Sequence, residues 1–266
     1  MVVRIGQKLY IINFKKISMK ILAIIPARMG SSRFPGKPLI KILGKPMIGH
    51  VFENVSKTNI LTDTIVATCD IEIYDYIKSI NGNAIMTSDK HQRASDRCGE
   101  ALLIMEKLKG YKYDIVLNIQ GDEPMVCSEM IKEALQPMIT NDNIQIVNLI
   151  YPINNDAEFK DKNCIKVVFD NNFNALYFSR EPIPNKTTLT NTFSRYKQVN
   201  VVPFRRNFLL EYINLEPTKL ETEESIDMLR ILEHGLKVKL VLTNYNTQSV
   251  DVFDDIKKVE SIMSKC

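Results

Sequence analysis

Residues 21–25 form an unbroken apolar run, ILAII, closed by Pro26. Such a run suits a central parallel strand buried on both faces, because a strand with one wet face alternates apolar and polar residues. Residues 64–68 (TIVAT) and 114–120 (DIVLNIQ) predict further strands, with a short one at 83–86. Between them, apolar residues recur at helical spacing in 47–56, 71–80 and 95–108, the last with Ser95 as its N-cap. Strands and helices alternating in this way predict an α/β fold with a mainly parallel central sheet flanked by helices.

The second half is patterned less regularly. Strands are predicted at 144–150, 164–170, 175–178, 199–203 and 237–243, and helices at 206–214 and 223–235. The last strand leads through Ser249-Val250-Asp251 into a final helix, and the Asn- and Thr-rich stretch 185–195 reads as a mobile loop. No internal repeat or low-complexity linker divides the chain. Residues 1–18 read as an extension before Met19, or alternatively as an added edge strand. In parallel α/β sheets ligands bind at the carboxyl ends of the strands. The segments after Ile25, Met86 and Gln120 are therefore expected to converge on one site.

Composition changes this picture little. The 266 residues are 45% hydrophobic and 25% charged, ordinary for a globular protein. A net charge of +4 without a basic tract argues against nucleic acid as partner, and suits a pocket for a phosphorylated substrate. Five scattered cysteines without a CxxC pair fit neither a disulfide framework nor a zinc site, and imply a reducing cytoplasm. No apolar run approaches the roughly 20 residues that span a bilayer, so no membrane role is expected.

The chemistry concentrates just past the first strand, in PARMGSSRFPGKPL, residues 26–39. A triphosphate carries about four negative charges and calls for close backbone N–H groups plus fixed cations. Gly30 would let the backbone approach without a Cβ in the way, while Arg28, Arg33 and Lys37 would neutralise the α-phosphate and the departing pyrophosphate. A solvated basic loop is the plain alternative. Neither GxxxxGK[ST] nor GxGxxG occurs.

This segment resembles the signature of the sugar-nucleotide cytidylyltransferases, in particular the 3-deoxy-manno-octulosonate (Kdo) enzymes. The similarity continues through VATCD at 66–70, Met86-Thr87 to Ser95-Asp96-Arg97, Gln120-Gly121-Asp122-Glu123-Pro124, residues 166–180, Leu220-Glu221, Leu229-Arg230 and Val250-Asp251, and covers roughly 19–262. It implies a nucleotide-diphospho-sugar transferase-like (Rossmann-like) domain with a smaller mixed part for sugar binding and dimerisation. The nucleotide part would span about 19–140, the sugar-acid part about 141–235, and the return to the core 236–262.

By that resemblance, CTP would contact Ala27, Arg28, Gly30, Ser31, Arg33, Lys37, Ser95, Arg97 and Gln120. Arg28, Lys37 and Asp122 would be catalytic, Mg²⁺ would sit on Asp122 and Asp251, and the enzyme would be a homodimer. Magnesium takes hard oxygen ligands, commonly one or two carboxylates. Glu123 reads as structural, since a tight turn usually aims one side chain inward. The implied reaction is a single in-line displacement, in which a sugar-acid hydroxyl attacks the α-phosphorus of CTP and pyrophosphate leaves. Positioning and electrostatics suffice for it, so no protein nucleophile is needed. Of the three histidines only His91 lies in a motif segment.

The sugar-acid side departs from the family pattern. Where His-x-Gly-Ile-Tyr-Gly-Tyr is usual, residues 198–204 read QVNVVPF; Asp227-Met228 replaces Glu-Gln, and Arg93-Ala94 replaces Ser-Gly. Buried hydrogen-bonding groups select the hydroxyls they pair with, so such changes bear on the sugar. Arg180 is expected to hold the substrate carboxylate through its planar guanidinium. Gln198, Asn200 and Asp227 are further substrate candidates. A different sugar acid (amino-modified or sialic-type), a nucleotidyltransferase using another base, and a non-catalytic nucleotide-binding homologue are the alternatives.

Overall fold

The computed structural model describes residues 2–5, 8–11, 19–30, 34–185 and 194–264. In chain order the strands are β1 (Val2–Ile5), β2 (Lys8–Ile11), β3 (Ile21–Ala27), β4 (Lys41–Ile42), β5 (Lys45–Pro46), β6 (Asp63–Thr68), β7 (Ala84–Met86), β8 (Ile115–Ile119), β9 (Val147–Pro152), β10 (Lys166–Phe169), β11 (Ala175–Ser179), β12 (Tyr196–Val199), β13 (Val201–Arg205) and β14 (Lys239–Leu242). The helices are α1 (Met47–Ser56), α2 (Ile71–Ser79), α3 (Ala94–Lys109), α4 (Ser128–Thr140), α5 (Asp156–Lys160), α6 (Arg206–Tyr212), α7 (Lys219–Glu224), α8 (Asp227–Glu233) and α9 (Asp254–Met263).

Two five-stranded sheets organise the molecule. The first has the order β13-β8-β3-β6-β7 and is parallel except for β13, which runs against β8. Every residue of β3 is buried. Leu22 and Ile24 face one core, while Ile21, Ala23, Ile25 and Ala27 face another, so the apolar run is covered on both sides. The second sheet, β11-β10-β12-β9-β14, is antiparallel except for the β9–β14 pair. An isolated bridge between Ile146 and Phe204 links the two sheets. β1 and β2 pair with each other, not with either large sheet.

Several expected elements are redrawn. β3 continues past Ile25 to Ala27, and Pro26 is tolerated because β8 no longer pairs with β3 beyond Asn118. The single strand expected at 199–203 is two: β12 lies in the second sheet and β13 in the first, with Asn200 at the crossing. The helix expected at 223–235 is broken, because Ser225 adopts a left-handed conformation (φ 53°) that ends α7 before α8 begins. The strand expected at 144–150 starts at Val147, since Asn141 to Gln145 form a hydrogen-bonded turn. Helices α4 and α5 were not anticipated. Most of the stretch read as a mobile loop, residues 186–193, lies outside the described residues.

Candidate active site

The carboxyl ends of β3 and β8 open into a cleft of about 1120 Å³ that also reaches α3, α8 and the second sheet. Convergence starts at Gly121. A Cβ there would stand 3.1 Å from the Pro26 carbonyl and 3.2 Å from Ile48, so glycine lets the turn after β8 close against the end of β3 without its neighbours giving way. Ala27, Arg28, Lys37, Gln120 and Asp122 all line the cleft.

Lys37 is held at the floor. Its Nζ donates to Asp122 Oδ2 at 2.6 Å and to the Val250 carbonyl at 2.8 Å. The Val250 N–H in turn donates to the Asp122 carbonyl at 3.0 Å, bringing Asp251 to the same wall. Asp255 fixes that corner by accepting the N–H groups of Asp251 and Val252, and the Ser249 hydroxyl donates to Asp251 at 3.3 Å. Asp122 Oδ1 is buried without a hydrogen-bond partner. A buried anionic oxygen in that state calls for a cation. Two hard carboxylates on one cleft, one with an orphaned oxygen, fit a magnesium ion.

Glu123, expected to be structural, lines the cleft beside Asp122, and its carboxylate is held by protein groups. It is 3% exposed; Asn200 Nδ2 donates to Oε1 at 3.2 Å and Thr247 Oγ1 to Oε2 at 2.7 Å. It thus ties the turn after β8 to the sheet crossing and to the loop before Asp251. Burial, with the negative charge of Asp122 beside it, pushes its carboxyl up to about 7 despite the Thr247 hydrogen bond.

The segment at the start of α3 differs from expectation at Ser95. The helix begins at Ala94, with Arg93 in the N-cap position, so Ser95 sits inside the first turn and does not cap it. Its hydroxyl donates instead to Asp227 Oδ2 at 3.3 Å. Ser95 is buried behind the cleft wall, whereas Arg97 lines the cleft. Arg97 is 3% exposed and donates to the Thr87 hydroxyl, the Ser88 carbonyl and the Cys69 thiol. His91 lines the cleft and pairs with Glu100. Burial opposes ionisation of Glu100, but the Ser88 N–H and His91 hold its carboxyl below the usual range.

On the sugar-acid side, Arg180, Gln198, Asn200 and Asp227 all face the cleft. The Arg180 guanidinium donates to the carbonyls of Glu224, Lys162 and Ser225 at 2.6, 2.9 and 3.2 Å. Gln198 Nε2 donates to Asn148 Oδ1 at 2.6 Å, and Asn148 is anchored on the Leu149 and Val199 carbonyls. Asp227 accepts from Arg93 Nη1 at 3.2 Å; burial raises its carboxyl while Arg93 opposes that rise.

Gly30 is exposed, with open space around it, and is not part of the cleft wall. Ser31 and Arg33 lie outside the described residues. Three contributors had no role assigned from the sequence, although Lys166 opens the family-like segment 166–180. Lys166 is fully buried and donates to the carbonyls of Asp161, Cys164 and Arg180, fastening the loop under Arg180. Burial lowers its amine below the usual lysine range. Thr247 holds Glu123, and Asn118 reaches the cleft with a buried Oδ1 that has no partner. The other hint was a polar residue inside each apolar run, at Asn118 in IVLNI and Lys166 in KVVF.

The cytidylyltransferase family matches residues 22–240 of this sequence. A 3-deoxy-manno-octulosonate cytidylyltransferase from Trichlorobacter lovleyi is 39% identical over 257 residues, spanning 93% of this chain and 100% of that protein. The chain belongs to the 3-deoxy-manno-octulosonate cytidylyltransferase family. The cytidylyltransferase of the same name from Syntrophus aciditrophicus is 40% identical over 244 residues, spanning 92% of this chain and 97% of that one. This cytidylyltransferase also matches a solved CMP:2-keto-3-deoxy-manno-octonic acid synthetase complexed with CTP, with a TM-score of 0.81 at 34% identity over 92% of this chain and 99% of that one. A 4-diphosphocytidyl-2C-methyl-D-erythritol synthase from Anaerococcus prevotii shares the fold, at 18% identity and a TM-score of 0.58. Among the described residues, no helix is long and apolar enough to cross a membrane.

Proposed function

We propose that this nucleotidyltransferase transfers CMP from CTP to the anomeric hydroxyl of Kdo, a 3-deoxy-2-keto sugar acid, and releases pyrophosphate. The observation that carries the reading is the meeting of Lys37, Asp122 and the Val250–Asp251 corner at the floor of the cleft, in a chain of this family. Asp122 and Asp251 would hold Mg²⁺, which when bound supplies positive charge to the triphosphate. The orphaned Asp122 Oδ1 supports this assignment.

The chain's own residues supply the rest. Arg28 and Lys37 offer cations where negative charge develops on the departing pyrophosphate. Lys37 is already oriented by Asp122 and the Val250 carbonyl, so little reorganisation accompanies the reaction. Arg97 belongs to the wall that would face the base, and Ser95, behind the wall, holds Asp227 on the acceptor side. Arg180 is the proposed carboxylate contact of the sugar acid, braced by three carbonyls. Gln198, Asn200 and Asp227 present side-chain polar groups to its hydroxyls.

The reading also includes a cytoplasmic setting, supported by the free thiols of Cys69, Cys98, Cys127 and Cys164, and a homodimer, supported by family resemblance. Its test is pyrophosphate release with CTP, Mg²⁺ and a panel of sugar acids. Turnover with Kdo is expected, and turnover of UTP or GTP in preference to CTP would overturn the reading.

A further inference from the structure

Asn118 is the polar exception in β8, whose other residues are Ile115, Val116, Leu117 and Ile119. Asparagine is disfavoured in strands, and a buried amide atom left unpaired costs more than an apolar side chain in its place. Yet Asn118 is 6% exposed, and its Oδ1 is buried with no hydrogen-bond partner among the described residues. The residue lines the cleft, at the position where β8 makes its last pairing with β3.

Side chains alternate along a strand, so Asn118 shares the face of Val116. The core on that face is apolar and includes Val116, Val202 and Met228. Val202 is the residue directly opposite Asn118 on β13. Opposite residues of an antiparallel pair hold their Cβ atoms about 4.5–5.5 Å apart on one face. Val202 also lines the cleft, and it stands where the family pattern has the first tyrosine of His-x-Gly-Ile-Tyr-Gly-Tyr. Its short side chain carries no polar atom, which leaves the Asn118 amide as the hydrogen-bonding group of this cross-strand pair. The two amides of the adjoining β12–β13 stretch donate elsewhere, Gln198 to Asn148 and Asn200 to Glu123.

We propose that Asn118 is a specificity-determining residue of the acceptor site, its amide hydrogen-bonding a hydroxyl of the sugar acid beside Val202. This rests on the reading of the cleft as the site of a sugar-acid cytidylyltransferase. A hydroxyl can donate or accept, so it satisfies the amide whichever of its two polar atoms faces the ligand. A carboxylate can only accept and has nothing to give Oδ1. The acceptor, not the nucleotide, is the partner because Val202 belongs to the stretch that departs from the family pattern on the sugar-acid side. A buried polar group rejects ligands that leave it unpaired, so a sugar acid without that hydroxyl is discriminated against.

The test compares wild type with Asn118→Leu, close in size but without polar atoms, by pyrophosphate release with CTP, Mg²⁺ and either Kdo or its monodeoxy analogues. The variant should lower kcat/KM for Kdo about tenfold or more. Its melting temperature should be no lower than that of wild type, since an unpartnered amide gives way to an apolar side chain. Calorimetric titration of CTP without acceptor should show a Kd within about threefold of wild type. The decisive comparison is between enzymes: one deoxy analogue should cost wild type about tenfold and the variant far less, because the deleted hydroxyl no longer has a partner to lose. If the leucine variant fails to fold, Asn118→Ala carries the same comparison. Analogues that cost both enzymes alike, an unchanged kcat/KM for Kdo, or a loss confined to CTP binding would each overturn the role of Asn118. Failure of wild type to use Kdo would instead overturn the functional reading beneath it, and this proposal with it.

Discussion

Lys37 and Asp122 lie 85 positions apart in the chain, yet their side chains meet at 2.6 Å, each largely withdrawn from solvent. The lysine follows the first strand of the parallel sheet and the aspartate follows its neighbour, so the contact exists only because β3 and β8 run side by side. Asp122→Asn should keep the fold, since the amide oxygen can still accept from Lys37, but lose the charge that the proposed metal requires. The expected result is a fall in kcat of about 10²-fold or more with an unchanged melting temperature. Near-wild-type turnover at saturating Mg²⁺ would remove Asp122 from the machinery. Lys37→Met should lower kcat by a similar factor.

The Glu221–Arg230 pair is buried on both sides, at 0% and 5% side-chain exposure. Removing the cation alone leaves a buried carboxylate without its bidentate partner. Arg230→Met should therefore destabilise the fold by about 3–5 kcal/mol in urea unfolding. The double variant Glu221→Leu/Arg230→Met should recover a large part of that loss. Equal losses in the single and double variants would show that packing, not the stranded charge, dominates at this corner.

Glu123 carries a carboxyl raised to about 7, chiefly by burial. Between the ordinary glutamate value and that raised one, the folded protein retains a proton that the unfolded chain has released. Stability should thus fall as pH rises from about 4.5 to about 7 in the absence of divalent metal. Glu123→Gln should flatten that fall, by on the order of 3 kcal/mol at most. Chemical denaturation across this pH range checks it, and parallel curves for the two proteins would refute it.

Asp63 works in the opposite sense. Burial would raise its carboxyl, but Lys109, Tyr113 and Tyr111 hydrogen-bond it and hold it below the usual aspartate range. Its contribution should be fully present above the unfolded value and lost as pH falls through the depressed folded one. Asp63→Asn should be about 1–3 kcal/mol less stable at neutral pH. The difference from wild type should shrink toward zero as the pH falls through the depressed folded value, below the ordinary aspartate range, measured by denaturant midpoints. A difference independent of pH would assign the loss to packing.

Sequence alone determined the elements whose cause is local. The run ILAII is apolar on both faces and therefore predicts a central strand; β3 is that strand, buried throughout. Helix α1 spans the residues that its apolar spacing marked, and the turn after β8 and the basic loop after β3 were placed at strand ends because glycine, proline and charge interrupt apolar runs there. What depends on distant residues was not legible. That Asn200 divides one apparent strand between two sheets is decided by β8 and β9, which compete for the same stretch from opposite sides. That Ser95 serves Asp227, 132 positions away, is decided by Arg93 taking the N-cap position and by the packing that brings α8 beside α3. Local pattern records which face of a segment is apolar; which partner a polar group finds is set only when the chain closes on itself.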